Sequence, residues 1–204
     1  MEVKERITVK ANELFLRYGI RSVSMDDIAA ELGMSKKTLY QYYADKEEII
    51  HEVFDAVFAE NRHYCSICKQ EGENVIHEVF LSFDHVQEML SQMNPALVFD
   101  MKKYHPAVFQ KFHEFKYNFL YKMLKENLEK GVKEELYRED IDIEILVRFR
   151  LHSIMLSFEP EAFPGLKTPL IQIERSLMEH FLYGIATAKG QKLITKYKNQ
   201  RLKK

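Results

Sequence analysis

The feature that most constrains this chain is the run Ser24-Met-Asp-Asp-Ile-Ala-Ala-Glu-Leu-Gly-Met-Ser35, followed by Lys-Lys-Thr-Leu-Tyr-Gln-Tyr-Tyr-Ala-Asp-Lys46. Ser24 with Asp27 three residues on resembles a capping box with Asp in the Glu position, and Ile28 and Leu32 at i, i+4 form a buried stripe. Gly33 supplies a turn and Ser35 caps a second short helix. Two capped helices around a glycine turn make a helix-turn-helix. At roughly 100° per residue, Leu39 and Tyr43 share one face of the second helix, while Lys37, Thr38, Gln41 and Tyr42 gather on the other. The first face anchors and the second meets an outside partner, so the stretch reads as a DNA-recognition helix. Ser24, Ser35, Lys36, Lys37, Thr38, Tyr40, Gln41, Tyr42 and Lys46 form the expected DNA-binding set. Within it, Lys36, Tyr42 and Lys46 are expected at phosphates, and Lys37, Thr38 and Gln41 at base edges in a major groove.

Phe15 to Gly19 (Phe-Leu-Arg-Tyr-Gly), Ser24 to Ala29, and Ser35 to Lys46 followed by Glu47-Glu48-Ile49 together resemble the N-terminal domain of TetR-family transcriptional regulators. The resemblance covers about the first fifty residues. Gly131 to Ile143 is also similar to the segment of that family ahead of the penultimate helix. The implied fold is all-α: an N-terminal three-helix helix-turn-helix domain (1–46), then a larger helical ligand-binding and dimerisation domain (47–188). A basic C-terminal extension (189–204) follows.

The bulk numbers fit that division. With 204 residues, a small head leaves enough chain for one further domain with its own core. The net charge of −1 argues against a general polyanion-coating protein, and residues 1–50 carry 8 Lys/Arg against 9 acids. DNA affinity must therefore come from local placement of charge. Two cysteines, no cleavable apolar leader and no membrane-length apolar run are what a cytoplasmic protein is expected to show.

Along the chain, Ile7, Ala11, Leu14, Phe15 and Tyr18 at helical spacing predict a first helix closed by Gly19. Glu47 to about Cys68 carries an unbroken apolar stripe, Ile49 to Phe58, and the resemblance implies that it links the head to the ligand domain. Val75 to Leu90 predicts a further helix, Ala96 to Lys103 a short one behind Pro95, and Ala107 to about Lys130 a long one that Gly131 closes. The last two helices, about Asp142 to Phe158 and Pro169 to Ala188, are separated by a stretch holding Pro160, Pro164 and Gly165. Their apolar positions exceed what one pair needs. The resemblance implies a four-helix interface between two copies, through Leu170, Ile173, Leu177, Phe181 and Ile185; an ordinary core within one chain is the alternative. The tail from Lys189 holds seven Lys/Arg and no acid, the pattern of a solvated extension.

Other constellations carry less. His63-x-Cys65-x-x-Cys68 lacks a second CxxC pair, which favours packing over a metal or redox sensor, and the remaining histidines show no ligand spacing. No GxGxxG, P-loop or GxSxG arrangement occurs, so neither catalysis nor a cofactor is expected. The resemblance implies a cavity among the middle helices. Phe80, Phe83, Met89, Met93 and Phe99, with Phe112, Phe119, Met123, Phe149 and Met155, are the aromatic and flexible side chains suited to a lipophilic or aromatic effector. The reading is a homodimeric, effector-released repressor on a palindromic operator. The alternative is a helical small-molecule-binding or scaffold protein that binds no operator.

Overall fold

The computed structural model describes residues 2–159 and 161–202 and is helical throughout, as the periodicity predicts. Its elements are α1 (Val3–Tyr18), α2 (Met25–Glu31), α3 (Lys36–Tyr40), α4 (Lys46–Glu71), α5 (Val75–Gln92), α6 (Ala96–Tyr104), α7 (Pro106–Glu114), a π-helical segment (Phe115–Leu120), α8 (Tyr121–Lys133), α9 (Ile143–Leu156), α10 (Leu170–Ile185) and α11 (Ala188–Leu202). None of these helices is long and apolar enough to cross a membrane. Pro160 and the tail residues Lys203 and Lys204 lie outside the described residues.

Two compact units divide the chain elsewhere than at residue 46: Met1–Asn61 with Gln92–His113, and Arg62–Ser91 with Glu114–Lys204. In the first, Ile7, Phe15, Ile20, Ile28, Leu39, Ile49 and Ile50 are fully or almost fully buried, and Leu97, Met101 and Val108 of α6 and α7 are buried too. A segment remote in sequence therefore completes the head. Asn94 donates its backbone N–H to the Leu16 carbonyl at 2.7 Å, satisfying an orphan acceptor near the end of α1.

The second unit is built on Val75, Ile76, Phe80, Leu128, Leu136, Tyr137, Val147, Leu151, Leu182, Ile185, Ile194 and Tyr197. The expected solvated tail is instead a packed helix. Ile194 and Tyr197 are buried, the Tyr197 hydroxyl accepts from Asn74 Nδ2 at 2.8 Å, and Arg201 grips Asp84 with Nε and Nη2. The high Lys/Arg content hid an amphipathic pattern whose cations pair with Glu73, Glu179 and Asp84.

Two other expectations change. Gly131 does not end its helix, which runs on to Lys133. Its missing Cβ makes room for the Tyr137 ring, whose Cδ2 would lie 2.0 Å from an added methyl. The helix closes on Glu135, at φ 57°, with Leu136 N–H bonded to Gly131 O and Glu135 N–H to Val132 O, a Schellman closure with a non-glycine residue in the left-handed position. Phe181 and Ile185 are buried in their own chain, at 8% and 2% exposure, so they are not open to a second copy; Leu170, Ile173 and Leu177 are half-buried. The open apolar stripe lies on α9: Ile145, Phe149 and Leu156, at 64%, 51% and 37% exposure.

Relieving the left-handed strain with Glu135→Gly is expected to raise unfolding free energy by about 0.5–1 kcal/mol. Gly131→Ala is expected to lower it by about 1–3 kcal/mol through the collision with Tyr137. Urea unfolding of the two variants checks both signs.

Candidate nucleic-acid interface

The helix-turn-helix is fixed at each turn by its own side chains. Ser24 and Asp27 make a reciprocal capping box: Asp27 N–H donates to Ser24 Oγ at 3.1 Å, and Ser24 N–H to Asp27 Oδ2 at 2.8 Å. These bonds hold the Asp27 carboxyl below its usual range, the Ser24 hydroxyl contributing most. Gly33, at φ 64°, closes α2 with Gly33 N–H on Ala30 O and Met34 N–H on Ala29 O. Ser35 then caps α3 by accepting from Thr38 N–H at 3.0 Å. Ser24 and Ser35 are thus first of all caps.

α3 is only five residues long, shorter than the recognition stretch, and Gln41 and Tyr42 sit in the turn that follows it. What keeps it in place is behind it. Leu39 is fully buried, and Tyr43 is 1% exposed with its hydroxyl 2.9 Å from Thr8 Oγ1. The Thr8 hydroxyl donates to the Lys4 carbonyl, which leaves Tyr43 as the donor to Thr8. Burial pushes the Tyr43 phenol above its ordinary pKa, so it stays protonated in that role. At the exit, Asp45 Oδ1 accepts from Glu48 N–H at 2.9 Å and Glu48 Oε2 from Ala44 N–H at 2.7 Å. The Asp45-x-x-Glu48 spacing was a capping signal present in the sequence.

The outward face carries Lys36, Lys37, Tyr40, Gln41 and Tyr42, all exposed. Tyr40 and Tyr42 stand at 45% and 38% exposure. Lys36 is tied to Asp26 at 3.0 Å, an exposed pair that a phosphate can replace. Thr38 is half-buried with its hydroxyl 2.8 Å from Ser35 Oγ, so the cap already engages the group expected to read a base.

Lys46 departs from its expected place at a phosphate. Its ammonium points inward and donates to the Ile20 carbonyl at 2.5 Å; burial lowers its pKa, opposed chiefly by Asp100. Asp100, on α6, is 6% exposed and accepts from Arg21 N–H at 3.0 Å. Gly19, at φ 81°, leaves the space this carboxylate occupies, with Oδ2 3.1 Å from where its Cβ would stand. The α1–α2 turn is thus held from one side by Lys46 and from the other by Asp100. Sequence reasoning missed Asp100 because no local pattern ties position 100 to position 21. The ten expected effector residues are divided between the two units. Met93, Phe99 and Phe112 fall in the first unit and the other seven in the second; Phe99 and Phe149 are exposed, and Phe80 and Phe83 belong to the packed core.

Lys46→Ala is expected to destabilise the head by about 1–2 kcal/mol without changing the salt dependence of DNA binding, because it removes a strut. Gln41→Ala is expected to cost about 1–3 kcal/mol on the operator and nothing on scrambled duplex. Binding isotherms across a salt series, with melting curves alongside, check both; a slope lower by one unit in Lys46→Ala would return that residue to a phosphate.

Residues 7–53 match the family model described as bacterial regulatory proteins, tetR family. The chain is 32% identical over 102 residues to the HTH-type transcriptional regulator YvaF of Bacillus subtilis, an alignment covering 50% of this chain and 53% of that protein, so it spans about half the relative's length. It is 22% identical over 198 residues to the HTH-type transcriptional repressor KstR2 of Mycolicibacterium smegmatis, covering 93% of each. Among solved structures, it is similar to Thermus thermophilus FadR, a TetR-family transcriptional repressor in complex with lauroyl-CoA, with a TM-score of 0.56, 19% identity and coverage of 90% and 95% of the two chains. Each of these relatives is named as a transcriptional regulator or repressor.

Proposed function

We propose that this chain, which belongs to the TetR family, is a homodimeric transcriptional repressor that leaves a palindromic operator when a small lipophilic or aromatic effector binds. The observation that carries the reading is the double-capped helix-turn-helix. It buries Leu39 and Tyr43 and leaves Lys37, Tyr40, Gln41 and Tyr42 facing out. That division of faces suits a helix laid in a major groove with its polar side on base edges and phosphates. Repression is favoured by the name of the full-length KstR2 relative, and an acyl or similarly apolar effector by the lauroyl-CoA of the FadR neighbour.

Dimerisation rests on α9. Ile145, Phe149, His152 and Leu156 recur at i, i+4, i+7 and i+11 along one exposed face, three of them large and apolar. On α10, Gly184 is exposed, with nothing within 4 Å of where its Cβ would stand, so nothing among the described residues requires glycine inside a helix. A second copy approaching closely would supply the reason. A two-fold dimer then sets two recognition helices about 34–36 Å apart, one turn of duplex. An effector acts by its differential affinity for the DNA-competent spacing and another. The chain passes between the compact units at 61/62, 91/92 and 113/114, and α4 is unbroken across the first crossing. These are the covalent routes along which such a change travels.

A salt-titrated gel shift on the DNA upstream of its own gene is expected to show specific binding that weakens steeply with salt. Binding equal on scrambled duplex would favour a helical small-molecule binder without an operator. In sedimentation at micromolar concentration the wild type is expected as a dimer. Phe149→Glu is expected as a folded monomer, and a Phe149→Glu chain that stays dimeric would put the interface elsewhere.

A further inference from the structure

The recognition stretch is short of free positive charge. Lys46 turns inward to the Ile20 carbonyl and Lys36 is tied to Asp26, which leaves Lys37 as the cation of that stretch with no carboxylate within 4 Å among the described residues. A duplex is bound largely through its phosphates, which are met by cations and hydrogen-bond donors. Further positive charge in the same compact unit comes from far along the chain. Residues 92–113 hold three lysines against one aspartate, Asp100, whose carboxylate is buried.

α6 sorts its side chains onto two faces. Leu97, Asp100 and Met101 are buried, and Phe99, Lys102 and Lys103, at i, i+3 and i+4, are exposed together. Phe99 stands at 54% exposure and Tyr104 at 40%, their rings edge to face at 6.4 Å. Lys103 Nζ lies 5.3 Å from both centroids. From the α1–α2 turn, the Arg21 guanidinium lies 5.4 Å from the Tyr104 centroid, and its Nη1 donates to the Tyr104 hydroxyl at 3.4 Å. One exposed ring thus gathers two cations from segments remote in sequence. Gathering like charge at one place on a surface raises the local positive potential, which favours an anionic partner.

Two hydrogen bonds fix where this cluster stands. Arg21 N–H is held by Asp100, and Arg21 lies three residues ahead of Ser24, the cap of α2. Tyr104 precedes His105, which is bonded at 2.7 Å to Glu47, the residue after Lys46 where α4 begins. The cluster therefore borders the starts of α2 and α4, the two helices that flank α3, within one compact unit. From this charge and this continuity we infer that Arg21, Lys102 and Lys103 form a second DNA contact, which takes the phosphate backbone of the duplex beside the half-site that α3 reads. The inference rests on the operator reading proposed above and extends it beyond the recognition stretch.

The test uses the full chain and fluorescence anisotropy on the upstream duplex and a scrambled duplex, across a salt series. Lys102→Gln combined with Lys103→Gln is expected to weaken binding to both duplexes alike, by about tenfold or more, and to lower the salt slope by about one to two units, with melting unchanged. Arg21→Gln is expected to lower the slope by about one unit. Lys102→Arg combined with Lys103→Arg is expected to keep the wild-type slope. Lys122→Gln combined with Lys192→Gln removes the same charge from exposed sites of the other unit and is expected to leave the slope unchanged. The inference is overturned if the Lys102/Lys103 glutamine variant binds like wild type, which would leave the cluster to an acidic protein partner. It is overturned as well if affinity falls with the slope unaltered, or if the control variant lowers the slope as much. A wild type that binds both duplexes equally would sink the operator reading, while the slope change on scrambled duplex still decides the backbone contact; a wild type that binds neither sinks both.

Discussion

A five-residue helix closes too few hydrogen bonds to persist alone, so the surface proposed to meet DNA exists only as far as the buried Leu39 and Tyr43 hold it in place. The Tyr43 to Thr8 hydrogen bond is the buried polar end of that anchor. Around it, the caps on Ser24, Ser35 and Asp45 satisfy backbone donors that the starts of α2, α3 and α4 would otherwise leave to solvent. Position and satisfaction come from the same few residues. The outward side chains are thereby left open to an outside partner.

The same accounting explains the neighbouring turn. Ile20 is fully buried, and its carbonyl needs a donor, which Lys46 provides; the Arg21 N–H needs an acceptor, which Asp100 provides. Arg21 also reaches Tyr104 of α6, Nη1 to Oη at 3.4 Å, and Glu47 bonds His105 at 2.7 Å. Polar contacts therefore tie α6 and its C-terminal end to the helix-turn-helix, and the first unit includes a segment that linear reading assigned to the ligand domain.

In the second unit the hydrophobic surplus of the last helices is divided. α10 spends Met178, Phe181, Leu182 and Ile185 on its own core, and α9 spends Val147 and Leu151, leaving Ile145, Phe149 and Leu156 outside. α11 closes the far side through Ile194 and Tyr197, and the Tyr137 to Ala186 backbone pairing ties the α8–α9 connection to the end of α10. The apolar face left over is on α9, one helix earlier than the strongest periodicity indicates, because periodicity counts apolar positions without saying which neighbour covers them.

What the sequence determined alone is the local part: helix class, the two capped turns, the Leu39/Tyr43 anchor and its resemblance to the TetR-family head, all set by interactions within about four residues. Gly33 in the left-handed turn and the break around Pro164 and Gly165 were legible for the same reason. Only the tertiary structure decided that Lys46 turns inward to Ile20, that Asp100 caps a turn 79 residues away, and that Gly131 makes room for the Tyr137 ring. It also decided that the basic tail packs as α11. Each of these depends on which distant group fills the space beside a residue, and that is set by packing, which no local spacing encodes.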